Sequence, residues 1–300
     1  MRHHLAAAVR RSRCKWLAPC PRVVQNQREH WGRHIKIATF NINGVKARIG
    51  ALTDWIDDAQ PDVAILQEIK SVDENFPREI FEDKGYVVET HGQKGFNGVA
   101  LLSKYPLEDV TRGLPGAEGA GREGVDDIEA RYIEATVIGE RALRICGLYL
   151  PNGNPAPGPK YDYKLRWMER LRTRAAELIA AEECALLAGD YNIIPQAEDA
   201  ARPDTWRDDA LFRPESREAF RRILTLGYTE AFRVVEGAPG HYSFWDYQAG
   251  AWDRNDGIRI DHFLLTPQCA DLLNACWIEK DVRGRDKPSD HVPVWVDLAL

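Results

Sequence analysis

The sequence lacks any apolar run near the roughly 20 residues that a membrane-spanning helix needs, so we expect no membrane contact. Cysteine pairing is lacking too, because no C-x-x-C spacing and no metal-ligand spacing occurs. We therefore expect reduced cysteines, mostly in the core, and a cytoplasmic protein. The six cysteines are Cys14, Cys20, Cys146, Cys184, Cys269 and Cys276.

A net positive charge is also absent, since the chain carries −6 at neutral pH. The first 34 residues hold seven Arg and one Lys against Glu29, about +7, which leaves 32 basic and 45 acidic residues elsewhere, or −13. Proteins that bind duplex DNA usually show positive charge, so composition alone does not indicate nucleic acid. We expect 1–34 to be a disordered extension or to precede the true start; a DNA-tethering arm and an organelle address are the alternatives.

Residues 35–300 show no linker and no short repeat, and 44% hydrophobic residues overall are enough for a large core. Their hydrophobic periodicity predicts strands mixed with helices, hence one layered α/β domain with mixed sheets and outer helices. The predicted strands are 35–41, 62–66, 85–90, 98–103, 131–138, 143–150, 185–188, 260–265 and 293–299. The predicted helices are 45–59, 161–182 and 214–226, the last ended by Gly227. The predicted loops are 91–97, 111–127 and 151–159.

Polar residues cluster at five places that we interpret as the carboxyl ends of buried strands. Five segments supply three Asp, one Glu, three Asn and one His: 39–44, 65–70, 187–192, 258–261 and 289–293. Ends of buried strands are rigid places from which to present chemistry, and burying so many ionisable groups unpaired would be costly. We interpret the set as a metal-dependent hydrolytic site.

Hydrolysis of a phosphodiester assigns a role to each group. Mg²⁺ prefers oxygen ligands, which Asn43, Glu68 and Asp290 offer. Asp190 is placed to position or deprotonate water, with Asn192 beside it.

His291 can donate to a phosphoryl oxygen, and Asp261 can hold its tautomer. Each segment alone has a structural alternative. Asn41 and Asn43 could form a helix cap or turn, Glu68 could pair with Lys70 on the surface, and the others could be turns or edge charges.

The chain resembles the exonuclease III family of the endonuclease/exonuclease/phosphatase superfamily over nearly all of 35–300. The strings that carry this resemblance are Phe40-Asn41-Ile42-Asn43-Gly44, Gln67-Glu68-Ile69-Lys70, Gly98-Val99-Ala100-Leu101-Leu102, Tyr149-Leu150-Pro151-Asn152-Gly153, Gly189-Asp190-Tyr191-Asn192, Phe244-Trp245-Asp246-Tyr247, Arg259-Ile260-Asp261 and Ser289-Asp290-His291. The resemblance implies a four-layer α/β/β/α sandwich with two facing mixed sheets. It also implies a Mg²⁺- or Mn²⁺-dependent monomer in base excision repair. Its substrate would be double-stranded DNA, incised 5′ to abasic sites, with 3′-to-5′ exonuclease and 3′-phosphodiesterase activity at 3′ ends.

The resemblance also implies residue roles. Catalytic roles fall on Tyr149, Asp190, Asn192, Asp261 and His291. The metal would be held among Asn41, Asn43, Glu68, Asp190, Asn192, Asp290 and His291. Asn152 would reach the scissile phosphate, and Phe244, Ile258 and Ile260 would surround the flipped-out abasic sugar.

Some relatives carry Trp where Ile258 stands, which leaves the balance of endonuclease and exonuclease activity open. Lys94, Lys160, Lys164 and Arg166 are candidates for contacts to DNA phosphates, or form an ordinary solvated face. Two rival functions are hydrolysis of another phosphoester, such as an inositol phosphate, a sphingolipid or an RNA tail, and non-catalytic DNA binding.

Overall fold

A computed structural model describes residues 34–300, which lie within one compact unit. The proposed boundary at residue 34 stays a prediction, because 1–33 fall outside the described residues, as do Cys14 and Cys20. His34, assigned to the extension, already begins the first strand.

Within 34–300, twelve strands form two mixed six-stranded sheets, which confirms the predicted fold class. The first sheet has the order β11-β12-β1-β2-β4-β3, with β1 (His34–Asn41), β2 (Val63–Gln67), β3 (Val87–His91), β4 (Val99–Ser103), β11 (Leu273–Ile278) and β12 (Val294–Ala299). The second has the order β5-β6-β7-β8-β10-β9, with β5 (Leu107–Arg112), β6 (Tyr132–Val137), β7 (Leu143–Tyr149), β8 (Ala185–Asp190), β9 (Thr229–Glu230) and β10 (Asp261–Leu265).

Helices cover the outer faces of both sheets. They are α1 (Val45–Ala59), α2 (Arg78–Glu82), α3 (Pro159–Ala180), α4 (Pro214–Leu224), α5 (Ala231–Val235) and α6 (Pro267–Ala270). Helix α1 packs on the first sheet through Leu52, Trp55 and Ile56, and α3 and α4 pack on the second. Strands β1 and β2 face β7 and β8 across the interior, so the layers run helix, sheet, sheet, helix. Within 34–300, no helix is both long enough and apolar enough to span a membrane.

The sequence analysis missed six elements, namely β5, β9, β11, α2, α5 and α6, and several predicted elements differ from the structure at their ends. The segment 111–127 is not entirely a loop, because β5 continues to Arg112. Helix α4 ends at Leu224 instead of 226, and Gly227 follows with φ 116° and donates its N–H to Leu224 O at 3.0 Å. The cysteines within 34–300 are free; Cys146, Cys269 and Cys276 are buried and Cys184 is half-buried.

Candidate active site

Four parallel strand ends and two antiparallel strand starts meet at one edge of the sandwich. Strands β1 and β2 are parallel neighbours, as are β7 and β8. Strand β12 runs antiparallel to β1, and β10 antiparallel to β8, so both begin where their partners end. This topology brings all five polar segments of the sequence together. The prediction that each lies at the carboxyl end of a strand is wrong for two of them, because 258–261 and 289–293 lie where β10 and β12 begin.

Side-chain alternation points two of these groups into the space between the sheets. Along β1, Ala38 and Phe40 pack toward α1, so Asn41 faces inward; along β8, Leu187 packs toward α3 and Asp190 faces inward. Asn41 Nδ2 donates to Asp190 Oδ2 at 2.9 Å and to Glu68 Oε1 at 2.9 Å. Asn41 is therefore the link between the carboxylates of the two sheets.

A second cluster lies on the Glu68 side. Lys70 Nζ lies 2.8 Å from Glu68 Oε2 and 2.5 Å from Asn43 Oδ1, and Asn43 Nδ2 donates to Asp290 Oδ1 at 3.0 Å. Burial tends to raise the pKa of Glu68, but hydrogen bonds from Asn41 and Lys70 lower it below its ordinary value. The Glu68–Lys70 pair considered as a surface alternative does form, but it lies inside the site.

The backbone at these strand ends is left-handed at several non-glycine residues. The φ angles are 47° at Asn43, 51° at Glu68, 50° at Lys70 and 47° at Asn192. Such conformations are uncommon outside glycine, and they persist only where the surroundings hold them, as at functional sites. The loops after β1, β2 and β8 are thus fixed in shape.

Asp190, His291 and Asp261 form a buried row. His291 Nδ1 lies 2.9 Å from Asp261 Oδ2, and His291 Nε2 lies 3.7 Å from Asp190 Oδ2. Burial alone would lower the pKa of His291, but the charges of Asp261 and Asp190 raise it to about 10. Burial raises the pKa of Asp190 to about 7; Asp261 adds to that rise and His291 opposes it. At neutral pH the row therefore holds an imidazolium beside a carboxyl group close to its titration point.

Two residues that the sequence did not single out support this row and Tyr149. Ser243 Oγ donates to Asp261 Oδ2 at 2.6 Å. Arg131 places its guanidinium 4.9 Å from the centre of the Tyr149 ring and donates to Tyr149 O at 3.3 Å. Burial, followed by the charges of Glu68 and Asp190, raises the pKa of Tyr149 well above its ordinary value. Nothing in the local sequence identifies Arg131 or Ser243, since both act through long-range contacts.

Asn152 and Asn192, which were predicted separately as site residues, meet at this edge. Asn152 Nδ2 donates to Asn192 Oδ1 at 3.1 Å, and Asn192 donates through its backbone N–H to Asp190 Oδ1 at 2.8 Å and through Nδ2 to Leu150 O at 2.9 Å. The two asparagines are thereby connected to Asp190.

An apolar cluster borders the row. The Phe244 ring lies 5.0 Å from the His291 ring and is half-buried. Ile258 and Ile260 are each only 2% exposed and pack under Phe244 and Trp206. That these three residues surround the abasic sugar stays a prediction. Of the three, only Phe244 has a substantial part of its side chain exposed to solvent.

Three of the four residues predicted to contact DNA phosphates are exposed, and the fourth is buried. Lys94, Lys160 and Arg166 are exposed, and Arg166 donates to Gly121 O at 3.1 Å. Lys164 is 0% exposed, so the prediction that it contacts DNA phosphates is wrong.

The physical reason for this burial is helical spacing. Lys164 lies three residues after Tyr161 and four before Met168, and both are core residues of α3. That spacing could have placed Lys164 on the buried face, whereas Leu165, expected there, is half-buried.

The donor set fits a hard divalent cation. Glu68, Asp290 and Asn43 offer carboxylate and amide oxygens, and two of these residues already contact the cationic Lys70 amine. Asp190, Asp261 and His291 also bring potential ligand atoms within 4.8 Å of one another. His291 Nδ1 and Asp261 Oδ2 are already hydrogen-bonded to each other, so these two atoms are not free to bind a cation. The cluster of Glu68, Asn43 and Asp290 therefore fits a cation better.

Residues 38–291 match the family model described as Endonuclease/Exonuclease/phosphatase family. The chain is 36% identical over 273 residues to exodeoxyribonuclease III of Haemophilus influenzae, covering 88% of this chain and all of that protein. It resembles the structure of an AP endonuclease from Archaeoglobus fulgidus, with a TM-score of 0.82, 33% identity, and 89% and 100% of the two chains covered. It also resembles a 3′ phosphatase from Neisseria bound to product DNA hairpin, with a TM-score of 0.83, 31% identity and the same coverage.

Proposed function

The chain belongs to the endonuclease/exonuclease/phosphatase family and, within it, to the exonuclease III relatives, and we propose that it is a DNA-repair phosphodiesterase. In this proposal it hydrolyses double-stranded DNA on the 5′ side of abasic sites in base excision repair. It also removes nucleotides and blocking groups from 3′ ends, depends on Mg²⁺ or Mn²⁺, and acts as a cytoplasmic monomer. The observation that carries the proposal is the meeting of Asp190, His291 and Glu68 around one interior edge, linked through Asn41.

Asp190 is the group that would take a proton from the attacking water. Its pKa of about 7 lies near a physiological pH, where a general base combines availability with driving force. Asn41 and the Asn192 backbone N–H hold its two oxygens at 2.9 and 2.8 Å, so the carboxyl group is fixed in orientation.

His291 would stabilise the charge that develops on the phosphoryl oxygens. Asp261 receives the Nδ1 proton at 2.9 Å, which leaves the Nε2–H directed toward the Asp190 side of the site. A fixed imidazolium in a buried site stabilises an oxyanion more strongly than it would in water. Tyr149 and the Asn152–Asn192 pair lie beside this row and would contact the same phosphate.

Glu68, Asp290 and Asn43 would hold the divalent cation, with Asn41 fixing Glu68. When bound, such a cation neutralises phosphate charge and stabilises the leaving oxygen. Lys70 would have to release part of its contact with Glu68 and Asn43 for that binding.

Phe244 supplies an apolar surface next to His291, against which an abasic sugar would pack. A nucleotide without a base loses little stacking when it leaves the duplex, so a small apolar pocket is enough to select it. The DNA-bound Neisseria relative supports DNA as the substrate class. Exposed Lys94 and Lys160 remain candidates for the phosphate backbone.

The test uses an end-labelled duplex with one tetrahydrofuran abasic analogue, which cannot be cut by β-elimination. The expected result is a Mg²⁺-dependent nick 5′ to the analogue that EDTA abolishes and that the Asp190→Asn protein does not make. Shortening from the 3′ end without this nick would limit the activity to an exonuclease. No reaction at either position would refute DNA as the substrate and favour another phosphoester.

A further inference from the structure

Lys164 is a buried amine that the proposed chemistry does not use. It lies in the second turn of α3 with 0% exposure, and its Nζ donates to Asn152 O at 3.0 Å and to Asn192 O at 2.6 Å. Burying an amine is costly unless its hydrogen bonds are satisfied, and here both partners are backbone carbonyls.

The two carbonyls belong to different loops of the active site. Asn152 follows β7 and Asn192 follows β8, and their side chains touch each other at 3.1 Å. Asn192 has a left-handed φ of 47°, a conformation that needs external support. One amine therefore fastens together the backbones of both asparagines that the proposed function places at the phosphate.

The packing around the lysine stem is tight. A Cβ on Gly153 would lie 2.7 Å from Lys164 Cδ, and Gly153 has φ 91°, so the loop can pass the stem only with glycine there. Asn154 completes the loop's attachment, since its side chain donates to Asp209 Oδ1 at 3.0 Å and accepts from Ala210 N at 3.0 Å. The stem and the loop are thus mutually fixed.

The amine does not need its charge for this role. Burial lowers the pKa of Lys164 to about 7, against the raising influence of Asp209 and Asp190. A neutral amine still has two N–H groups, which is the number of carbonyls it serves.

We infer that Lys164 is a positioning residue that sets Asn152 and Asn192 at the scissile phosphate without touching the DNA itself. The inference rests on the proposed function of the site. Because a misplacement of about 1 Å at a reacting centre lowers turnover by about 10²-fold, loss of the two bonds should act on kcat. It should act much less on KM for the duplex, since the exposed lysines and the DNA-binding surface are unchanged.

The experiment compares Lys164→Met, which keeps the apolar stem, with Arg174→Met on the same helix. Arg174 bonds to Glu134 at 2.6 Å, away from the site, so its loss destabilises the fold without touching the two asparagines. Steady-state incision of the abasic duplex, which gives kcat and KM, and thermal unfolding are measured for both. The expected result is a kcat about 10²-fold lower for Lys164→Met and a kcat within about twofold of wild type for Arg174→Met.

A mutant cycle with Asn152→Ala and Asn192→Ala combined separates positioning from general loss of stability. If Lys164 acts through these two side chains, adding Lys164→Met to the protein that carries both alanines lowers kcat by no more than about twofold. Independent, multiplying effects, or a normal kcat for Lys164→Met, overturn the inference. If Lys164→Met does not fold, Lys164→Gln takes its place with the same expected and overturning results.

The wild-type protein separates this inference from the function on which it rests. A wild type that does not nick the duplex refutes the proposed function. A wild type that nicks it, together with a fully active Lys164→Met protein, refutes the inference alone.

Discussion

Asp261→Asn tests how the buried row controls His291. The substitution keeps the size of the side chain but removes the charge that lies 2.9 Å from His291 Nδ1. Among the groups that raise the pKa of His291 from 6.5 to about 10, Asp261 has the largest effect. The whole rise corresponds to about 5 kcal/mol in favour of the imidazolium, at about 1.4 kcal/mol for each pH unit.

Removing a single opposite charge at this distance should lower the pKa of His291 by about 1–3 pH units. Burial disfavours the charged imidazole, and in the variant only the remaining negative charges, chiefly Asp190 at 3.7 Å, oppose that effect. The imidazolium population at and above neutral pH falls, and with it the stabilisation of the phosphoryl oxygens. With the pKa of His291 at about 7–9, incision should drop by no more than about twofold near pH 7 and by up to about 10²-fold near pH 9, the usual effect of losing one donor to a developing oxyanion.

The assay is a pH series of single-turnover incision together with NMR titration of the His291 ring. The ratio of wild-type to Asp261→Asn rates should shrink as the pH falls from about 9 to about 6, because protonation restores the imidazolium. Ser243→Ala is the matched control, since it removes a 2.6 Å hydrogen bond to Asp261 but leaves the charge. A His291 that still titrates near its wild-type pKa in Asp261→Asn, or a rate ratio that does not change with pH, would refute the reasoning.

Three further predictions concern catalysis and folding. Asp190→Asn should abolish incision while duplex affinity, measured by fluorescence anisotropy, stays close to wild type; near-normal turnover would contradict its role. Gly189→Ala should lower the free energy of unfolding in urea by at least about 2 kcal/mol, because a Cβ there would lie 1.8 Å from Leu148 O, and an unchanged midpoint would contradict that clash. Arg259→Met should lower it by about 3–5 kcal/mol, because it strips two buried carboxylates of a partner at 2.8 and 2.7 Å, whereas a loss below about 1 kcal/mol would show that they find other partners.

The site could be predicted from the sequence because an apolar run followed by polar residues marks the end of a buried strand. A purely structural role does not readily explain why apolar runs lead to polar residues at Asn41, Glu68 and Asp190 alike. The parallel pairs β1/β2 and β7/β8 place the carboxyl ends of neighbouring strands side by side. The segment containing Asp290 and His291 joins them because β12 starts where β1 ends.

Two of the edge strands, β5 and β11, could not be predicted in the same way, whereas the edge strand β3 was predicted as 85–90. Strand β5 is half-exposed or exposed along its whole length, and β11 buries only one of its six residues. Neither has the continuous apolar run of a central strand, and their pairing depends on a neighbour far along the chain.

The contacts of individual polar residues could not be predicted from the local sequence pattern either. Helical spacing indicates that Lys164 is buried, but it does not indicate the two loop carbonyls that the Lys164 amine contacts. Lys70 looked like a surface partner of Glu68, but the loop after β2 turns it into the site. In both cases tertiary placement decides what the charge contacts.

The most direct test of the account is incision of the tetrahydrofuran duplex in water labelled with heavy oxygen, followed by mass spectrometry of both products. Attack of water on phosphorus with departure of the 3′ oxygen predicts a 3′-hydroxyl on the upstream strand. It also predicts one heavy oxygen atom in the 5′-phosphate on the analogue. An unlabelled 5′-phosphate, or a nick on the other side of the analogue, would contradict hydrolysis at this site.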